Sequence, residues 1–210
     1  RMQRLTLAAP PLGEPSATPI LRTVAGLSRL TRTETVAFPA MLAGWMIDRH
    51  LAAGDLPDAD AIARFVADSS PIVTRWRNAL CLPNNHRDAL RHTLSLLPEA
   101  MHWPSLSTAK RKRLLANRCW PHAWQVLRAM GFSAKVSDVI NTLQKESATL
   151  FDEGVAPEPL VNGDDLIRLG VKPGRGFGRL LDAIYDEQLE GRIRTRQQAE
   201  ALAKSRAVPK

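Results

Sequence analysis

Apolar side chains recur at every third or fourth position along most of the chain, which is the spacing of amphipathic helices. No stretch alternates apolar and polar residues as a half-buried strand would, so the sequence predicts an all-α fold. The apolar faces fall in 20–30, 36–46, 62–66, 90–97, 114–115, 124–130 and 136–143. Further helices are predicted over 164–169, from about 176 to 190, and from 195 onward.

Local signals place the ends of several predicted helices. Asp58 follows a proline directly ahead of an apolar face, which is typical of a helix start. Ser107 is expected to cap the next basic helix, and Thr195 with Gln198 forms the T-x-x-Q pattern of a capping box. Pro98 is expected to end the helix that starts at 84 or 85, because proline cannot continue the hydrogen-bond ladder.

A proline-rich segment, GVAPEPLVNG at 154–163, separates the longest run of predicted helices from the last three. Such a composition favours a domain boundary. The sequence therefore predicts a helical region over 1–153, a linker over 154–163 and a helical tail over 164–210.

The composition excludes several classes of protein. The chain has 210 residues, of which 44% are hydrophobic, and it has only two cysteines, so a disulfide scaffold is excluded. It contains no run of about 18 apolar residues, so no membrane span is expected. Pro10 and Pro11 interrupt the apolar stretch within the first 20 residues, and no secretory signal is predicted. We expect a cytoplasmic protein.

The formal net charge is +8, and its distribution is uneven. No acidic residue occurs between Ala100 and Val136, and a second basic zone begins at Gly191. The segment between these zones is acidic. Two basic zones indicate two contact points for a long polyanion, with solvated helix faces as the alternative.

Two stretches carry the candidate contacts. The run Lys110, Arg111, Lys112 and Arg113 spreads its charges around a helix, so not all of them can face one groove. The turn VKPGRGFG combines cations with glycines at a helix start, where unpaired amides and bare backbone can approach a phosphate. Its candidate residues are Lys172, Gly174, Arg175, Gly176, Gly178 and Arg179.

The stretch over 160–200 carries a motif of glycines, acidic residues, cations and apolar residues at fixed spacing. Its residues are Gly163, Asp164, Asp165, Leu166, Leu169, Gly170, Lys172, Pro173, Gly174, Phe177, Gly178, Leu181, Gln188, Gly191, Thr195, Arg196 and Ala199. This motif resembles the C-terminal tail of bacterial class II tRNA nucleotidyltransferases and related poly(A) polymerases. The resemblance covers about 40 residues closely, and the segments 80–97 and 106–116 are similar to the body-domain helices of the family.

The resemblance implies a helical neck–body–tail array that binds tRNA, and it adds Arg196 to the candidate RNA contacts. Catalysis in the family belongs to a β-rich head with a Gly-Ser turn and an Asp-x-Asp metal pair, which this chain lacks. The one D-x-D, Asp58-Ala59-Asp60, is interpreted as a helix cap. The chain alone is therefore expected to be inactive and to hold no cofactor, with Mg²⁺ and ATP or CTP bound only by an upstream head.

Other interpretations stay open at this stage. The PGRG turn also resembles a helix-hairpin-helix DNA-binding turn, and a helical protein-interaction module would explain the basic zones as incidental. Trp120 and Trp124 lie four residues apart, which favours core packing over base stacking, whereas Trp103 is ambiguous. Cys119 and His122 fall short of the ligand set of a zinc site.

Overall fold

The computed structural model describes residues 22–50 and 56–207, and within these ranges it contains helices and no strand. The predicted all-α class is confirmed, while Ile20 and the rest of the first 20 residues lie outside the described part. No helix in the described part is both long enough and apolar enough to cross a membrane. The helices are α1 (Arg22–Leu30), α2 (Phe38–His50), α3 (Ala59–Ala79), α4 (Asn84–Met101), α5 (Thr108–Ala116), α6 (Trp120–Ala129), α7 (Ala134–Glu153), α8 (Gly163–Arg168), α9 (Phe177–Leu189) and α10 (Arg196–Ala207), with a 3-10 turn at Trp103–Ser105.

The helices form two compact units. Among the described residues, the N-terminal unit comprises 22–50, 56–103 and 118–143, and the tail unit comprises 104–117 and 144–207. The sequence placed a boundary at 154–163, whereas α5 and the second half of α7 group with the tail helices. One reason is a contact far apart in sequence: the Ala109 amide donates to the Glu190 carboxylate at 2.8 Å. No local pattern reveals such a contact.

α2 is the central helix of the N-terminal unit and packs against α1, α4 and α6. Eight of its 13 residues are buried, which explains why its sequence has no polar face. Trp45 packs on Trp76 of α3, with ring centroids 4.6 Å apart. Asp48 caps α1 by accepting the Thr23 and Val24 amides at 3.0 and 2.9 Å. Burial raises the pKa of this carboxyl.

Three predicted helix starts are confirmed. Asp58 accepts the amide of Ala61 at 2.7 Å and caps α3, as interpreted from the sequence. Ser107 caps α5. Thr195 and Gln198 exchange both bonds of a capping box, at 3.3 and 3.2 Å, ahead of α10.

The expectation that Pro98 ends α4 is wrong, because the helix continues to Met101. Pro98 lacks the amide hydrogen that would reach back one turn. Leu97, Ala100 and Met101 are nevertheless buried, and their packing keeps the last turn helical. Tertiary burial outweighs the local signal here.

α3 ends at a left-handed residue that is not glycine. Cys81 has φ 50°, a backbone conformation that strains any residue with a Cβ. The Leu82 amide donates to Arg77 at 2.9 Å and the Cys81 amide to Asn78 at 3.4 Å, which are the two bonds of a Schellman end. The side chain of Cys81 is exposed.

We expect Cys81→Gly to raise the free energy of unfolding by about 0.5–1 kcal/mol, because glycine removes the strain at this position. Cys81→Ser is the matched control, since it keeps the Cβ and changes only the thiol. Thermal unfolding followed by circular dichroism compares the two variants. Equal melting temperatures for the glycine and serine variants would contradict the expected strain.

The tail unit has a small core of its own, to which α8, α9 and α10 contribute, and the predicted linker is part of it. The Tyr185 hydroxyl donates to the Pro157 carbonyl at 2.9 Å. The Gln188 side chain donates to Glu158 at 2.8 Å and accepts the Leu160 amide at 3.0 Å. The buried core residues are Val161, Leu166, Ile184, Ile193, Ala199 and Ala203.

Candidate nucleic-acid interface

A glycine-rich turn joins α8 to α9. Gly170 ends α8 in the left-handed region, with φ 85°, and the Val171 amide donates to the Leu166 carbonyl. Val171 also packs against the tail core. The turn is thus fixed at its first end, and the following residues 172–176 are exposed.

The chain's own packing requires no glycine at Gly174, Gly176 or Gly178. A Cβ added at any of the three would meet no atom within 4 Å, and none adopts a left-handed backbone. Gly176 is the N-cap of α9 and supplies no side-chain acceptor, and the first turn of α9 has no acidic residue. The backbone at this helix start is therefore accessible to an anion.

Lys172, Arg175 and Arg179 lie within four residues of Gly176 in the sequence, and all three are exposed. None of them forms an ion pair with any residue of the described ranges. We refer to these three cations together with Gly174, Gly176 and Gly178 as the loop surface.

The basic run on α5 is used differently from the loop surface. Arg111 pairs with Glu146 at 2.9 Å and Lys112 with Glu153 at 3.6 Å, so both contact the second half of α7. Lys110 is exposed, and no ion pair joins it to a residue that the structure describes. Only part of the run thus remains accessible to a ligand.

Arg113 joins α5 to α9. Its Nε lies 2.7 Å from an Asp186 oxygen, and its Nη2 lies 3.4 Å from an Asp182 oxygen. The guanidinium also lies over the Tyr185 ring, 5.2 Å from the centroid. These contacts occupy the side chain within the protein.

Arg196 pairs with Asp165 and Glu200, and Arg168 also pairs with Asp165. Asp165 is nearly fully buried and forms a capping box with Asn162. The Asp165 carboxylate accepts the backbone amide of Asn162 at 2.9 Å, and the Asn162 side-chain oxygen accepts the backbone amide of Asp165 at 3.0 Å. The hydrogen bond from Asn162, together with the two guanidinium groups, lowers the pKa of Asp165. Arg196 therefore anchors α10 to the start of α8.

The tail unit is expected to lose stability in acid. Hydrogen bonds from Arg192 and Arg206 lower the pKa of Glu187, as the Asn162 amide does for Asp165. A carboxylate whose pKa is lowered on folding stabilises the fold above its unfolded pKa, and this contribution is lost as the pH falls through the folded value. We expect the melting temperature to fall between about pH 4 and pH 2.

The variant Asp165→Asn tests whether the Asp165 carboxylate causes part of this acid sensitivity, because the amide side chain of asparagine cannot ionise. Its melting temperature should lie below that of the wild type at neutral pH and should fall less on acidification. Circular dichroism melts across this pH range give the comparison. Parallel curves for the two proteins would show that Asp165 does not contribute to the acid sensitivity.

A cleft of about 340 Å³ lies in the tail unit between α5, α9 and α10. Its charged lining groups balance, and Glu187 already pairs with Arg192 and Arg206. A polyanion therefore finds less net attraction here than at the loop surface. The charged lining residues are Lys110, Arg192, Arg206, Asp186, Glu187 and Glu190.

The sequence reasoning missed the acidic partners of the basic run. Asp182 and Asp186 lie four residues apart and Glu146 and Glu153 seven apart, so each pair shares one helix face. This spacing is a readable signal for an acidic stripe, but it does not say which helix the stripe meets. Among the predicted RNA contacts, Arg111, Lys112, Arg113 and Arg196 hold ion pairs inside the chain.

Four of the five tryptophans are buried in the core. Trp103 and Trp120 are buried, which confirms core packing for Trp120. Trp124 is partly buried and stacks on Trp120 with ring centroids 6.0 Å apart. Cys119 is buried as well. Within the described ranges, no group of three or more His, Cys, Asp or Glu side chains is arranged to hold a metal ion.

Comparisons of the chain with protein-family models, curated proteins and solved structures gave no match. Function is therefore argued from the surface chemistry.

Proposed function

We propose that this chain is the tRNA-binding, helical neck–body–tail part of a protein like the class II tRNA nucleotidyltransferases and poly(A) polymerases. The loop surface carries the proposal. Its three exposed cations lie close in sequence to a helix start and form no ion pair with a described residue. The glycines there leave the backbone open, and amides at a helix N-terminus favour phosphate.

A surface of this kind reads phosphate positions rather than bases, which suits a partner that is accepted by its shape. Lys110 is a second direct contact in this proposal. Arg111, Lys112, Arg113 and Arg196 act indirectly, because their ion pairs fix the helices that present the exposed cations.

Nucleotide addition, in this proposal, is carried out by a head domain that precedes residue 1 in the natural protein. Mg²⁺ and ATP or CTP bind to that head, and this chain alone has no activity. The proposed location is the cytoplasm, where the thiols of Cys81 and Cys119 stay reduced.

Fluorescence anisotropy with a labelled tRNA tests the proposal. We expect tRNA to bind more tightly than an unstructured RNA of equal length. The logarithm of the binding constant should fall linearly with the logarithm of salt concentration, by about 0.7–0.9 per phosphate contacted. Equal affinity for the two RNAs would reject the proposal.

The same titration, with duplex DNA as competitor, distinguishes tRNA binding from the two alternative functions. The order of helix, glycine-rich turn and helix in α8 and α9 also suits a helix-hairpin-helix DNA binder, for which duplex DNA would outcompete tRNA. A protein-interaction module would bind neither nucleic acid and would show a salt-insensitive protein partner.

A further inference from the structure

Phe38, the first residue of α2, is 44% exposed. Its ring meets the ring of His86, near the start of α4, edge to face, with centroids 5.2 Å apart and planes at 76°. The contact fixes the orientation of both rings and leaves much of the phenyl group open to solvent. An exposed, fixed aromatic ring is what an unpaired base needs for stacking.

The residues next to His86 in the first turns of α4 include arginine and asparagine side chains. Arg87 pairs with Asp88 at 2.7 Å, and Arg91 lies one turn further along α4, exposed and without an ion pair to a residue in the described ranges. The first turns of α2 and α4 contain no acidic residue. The side chains of Asn84 and Asn85 are exposed at the start of α4.

These features favour a nucleic acid over a protein or lipid partner. A single exposed phenyl ring offers too little apolar area for a protein groove. This ring and Arg91 supply the two contacts that single-stranded RNA uses, which are a stacking face for a base and a cation for its phosphates.

We infer that Phe38 and His86 stack an unpaired base of a single-stranded RNA segment whose phosphate contacts Arg91. We call these three residues the Phe38 surface. The inference rests on the proposed function, and it adds that the RNA partner has an unpaired end or loop that this surface recognises. The loop surface contacts backbone alone, so the two surfaces differ in the RNA they select.

The test uses the full chain and two labelled RNA hairpins, one blunt and one with an unpaired 3′ extension of about eight nucleotides. Phe38→Leu keeps an apolar side chain and removes the aromatic face, so we expect it to weaken binding of the extended hairpin by on the order of tenfold. Binding of the blunt hairpin should not change. Phe38→Trp should retain tight binding, because it keeps a stacking face.

Phe151→Leu is the matched control, because Phe151 is another exposed aromatic, 49% accessible and located on α7 in the tail unit. It should leave both hairpins unaffected. Photocrosslinking of wild-type protein to 5-iodouridine in the extension, mapped by mass spectrometry, should label the peptides of Phe38 and His86. This second measurement requires no variant to fold.

The outcomes separate the two claims. If wild-type protein binds neither hairpin, the proposed function and this inference both fail. If neutralising the loop surface weakens the blunt hairpin while Phe38→Leu leaves the extended one unchanged, the inference alone fails. The inference would also be overturned if Phe38→Leu lowered the affinity for both hairpins equally, or if crosslinks occurred only in the tail unit.

Discussion

Replacing Lys172, Arg175 and Arg179 together with glutamine is expected to lower the affinity for tRNA roughly 100-fold, since each exposed contact to a phosphate contributes about 1 kcal/mol. The slope of the logarithm of the binding constant against the logarithm of salt concentration should also become shallower, by the amount expected for the loss of about three phosphate contacts. Glutamine keeps most of the side-chain length and removes only the charge. Because none of the three groups forms an ion pair with a described residue, the fold should be unaffected.

The control for this variant changes the net charge equally at a distant site in the sequence. Arg29, Arg32 and Arg64 are exposed in the N-terminal unit, and their joint replacement by glutamine also removes three positive charges. Anisotropy titrations at several salt concentrations then separate a localised contact from a general field. Equal losses in the two triple variants would mean that net charge, and not the loop surface, attracts the RNA.

The helix caps could be predicted because they are decided within a few residues. Asp58, Ser107 and the Thr195–Gln198 box each satisfy amides of the turn that follows them. The continuation of α4 past Pro98 could not be predicted, because it depends on burial against other helices.

The same distinction applies to the candidate site. The cations and glycines of the loop surface could be grouped from the sequence because they are neighbours along the chain, and the three cations are exposed. The use of Arg111 and Arg113 was not predicted, because their partners Glu146 and Asp186 lie 35 and 73 residues away. Charge counts identify a basic zone, but long-range pairing decides which of its cations are accessible.

Gly26→Ala is expected to be the most destabilising of the single substitutions considered, lowering the free energy of unfolding by about 3 kcal/mol. Gly26 lies in α1, where a Cβ would stand 2.1 Å from the carbonyl oxygen of Ala129 at the end of α6. Real Cβ atoms do not come this close, and the obstacle is backbone, which cannot rotate away. The two helices would have to separate, which loosens the core beside Leu27.

Two further Gly→Ala substitutions show whether the loss at Gly26 comes from the clash with backbone. At Gly44 the nearest atom is a methyl group of Leu27, 2.6 Å from the added Cβ, and a side chain can move, so a loss of about 1 kcal/mol is expected. At Gly178 no atom lies within 4 Å, and alanine should stabilise α9 by up to about 1 kcal/mol. Chemical denaturation should therefore give the lowest free energy of unfolding for Gly26→Ala, a higher value for Gly44→Ala and the highest for Gly178→Ala. Helix propensity alone predicts a gain at all three sites, so a stabilised Gly26→Ala protein would contradict the close approach of α1 to α6.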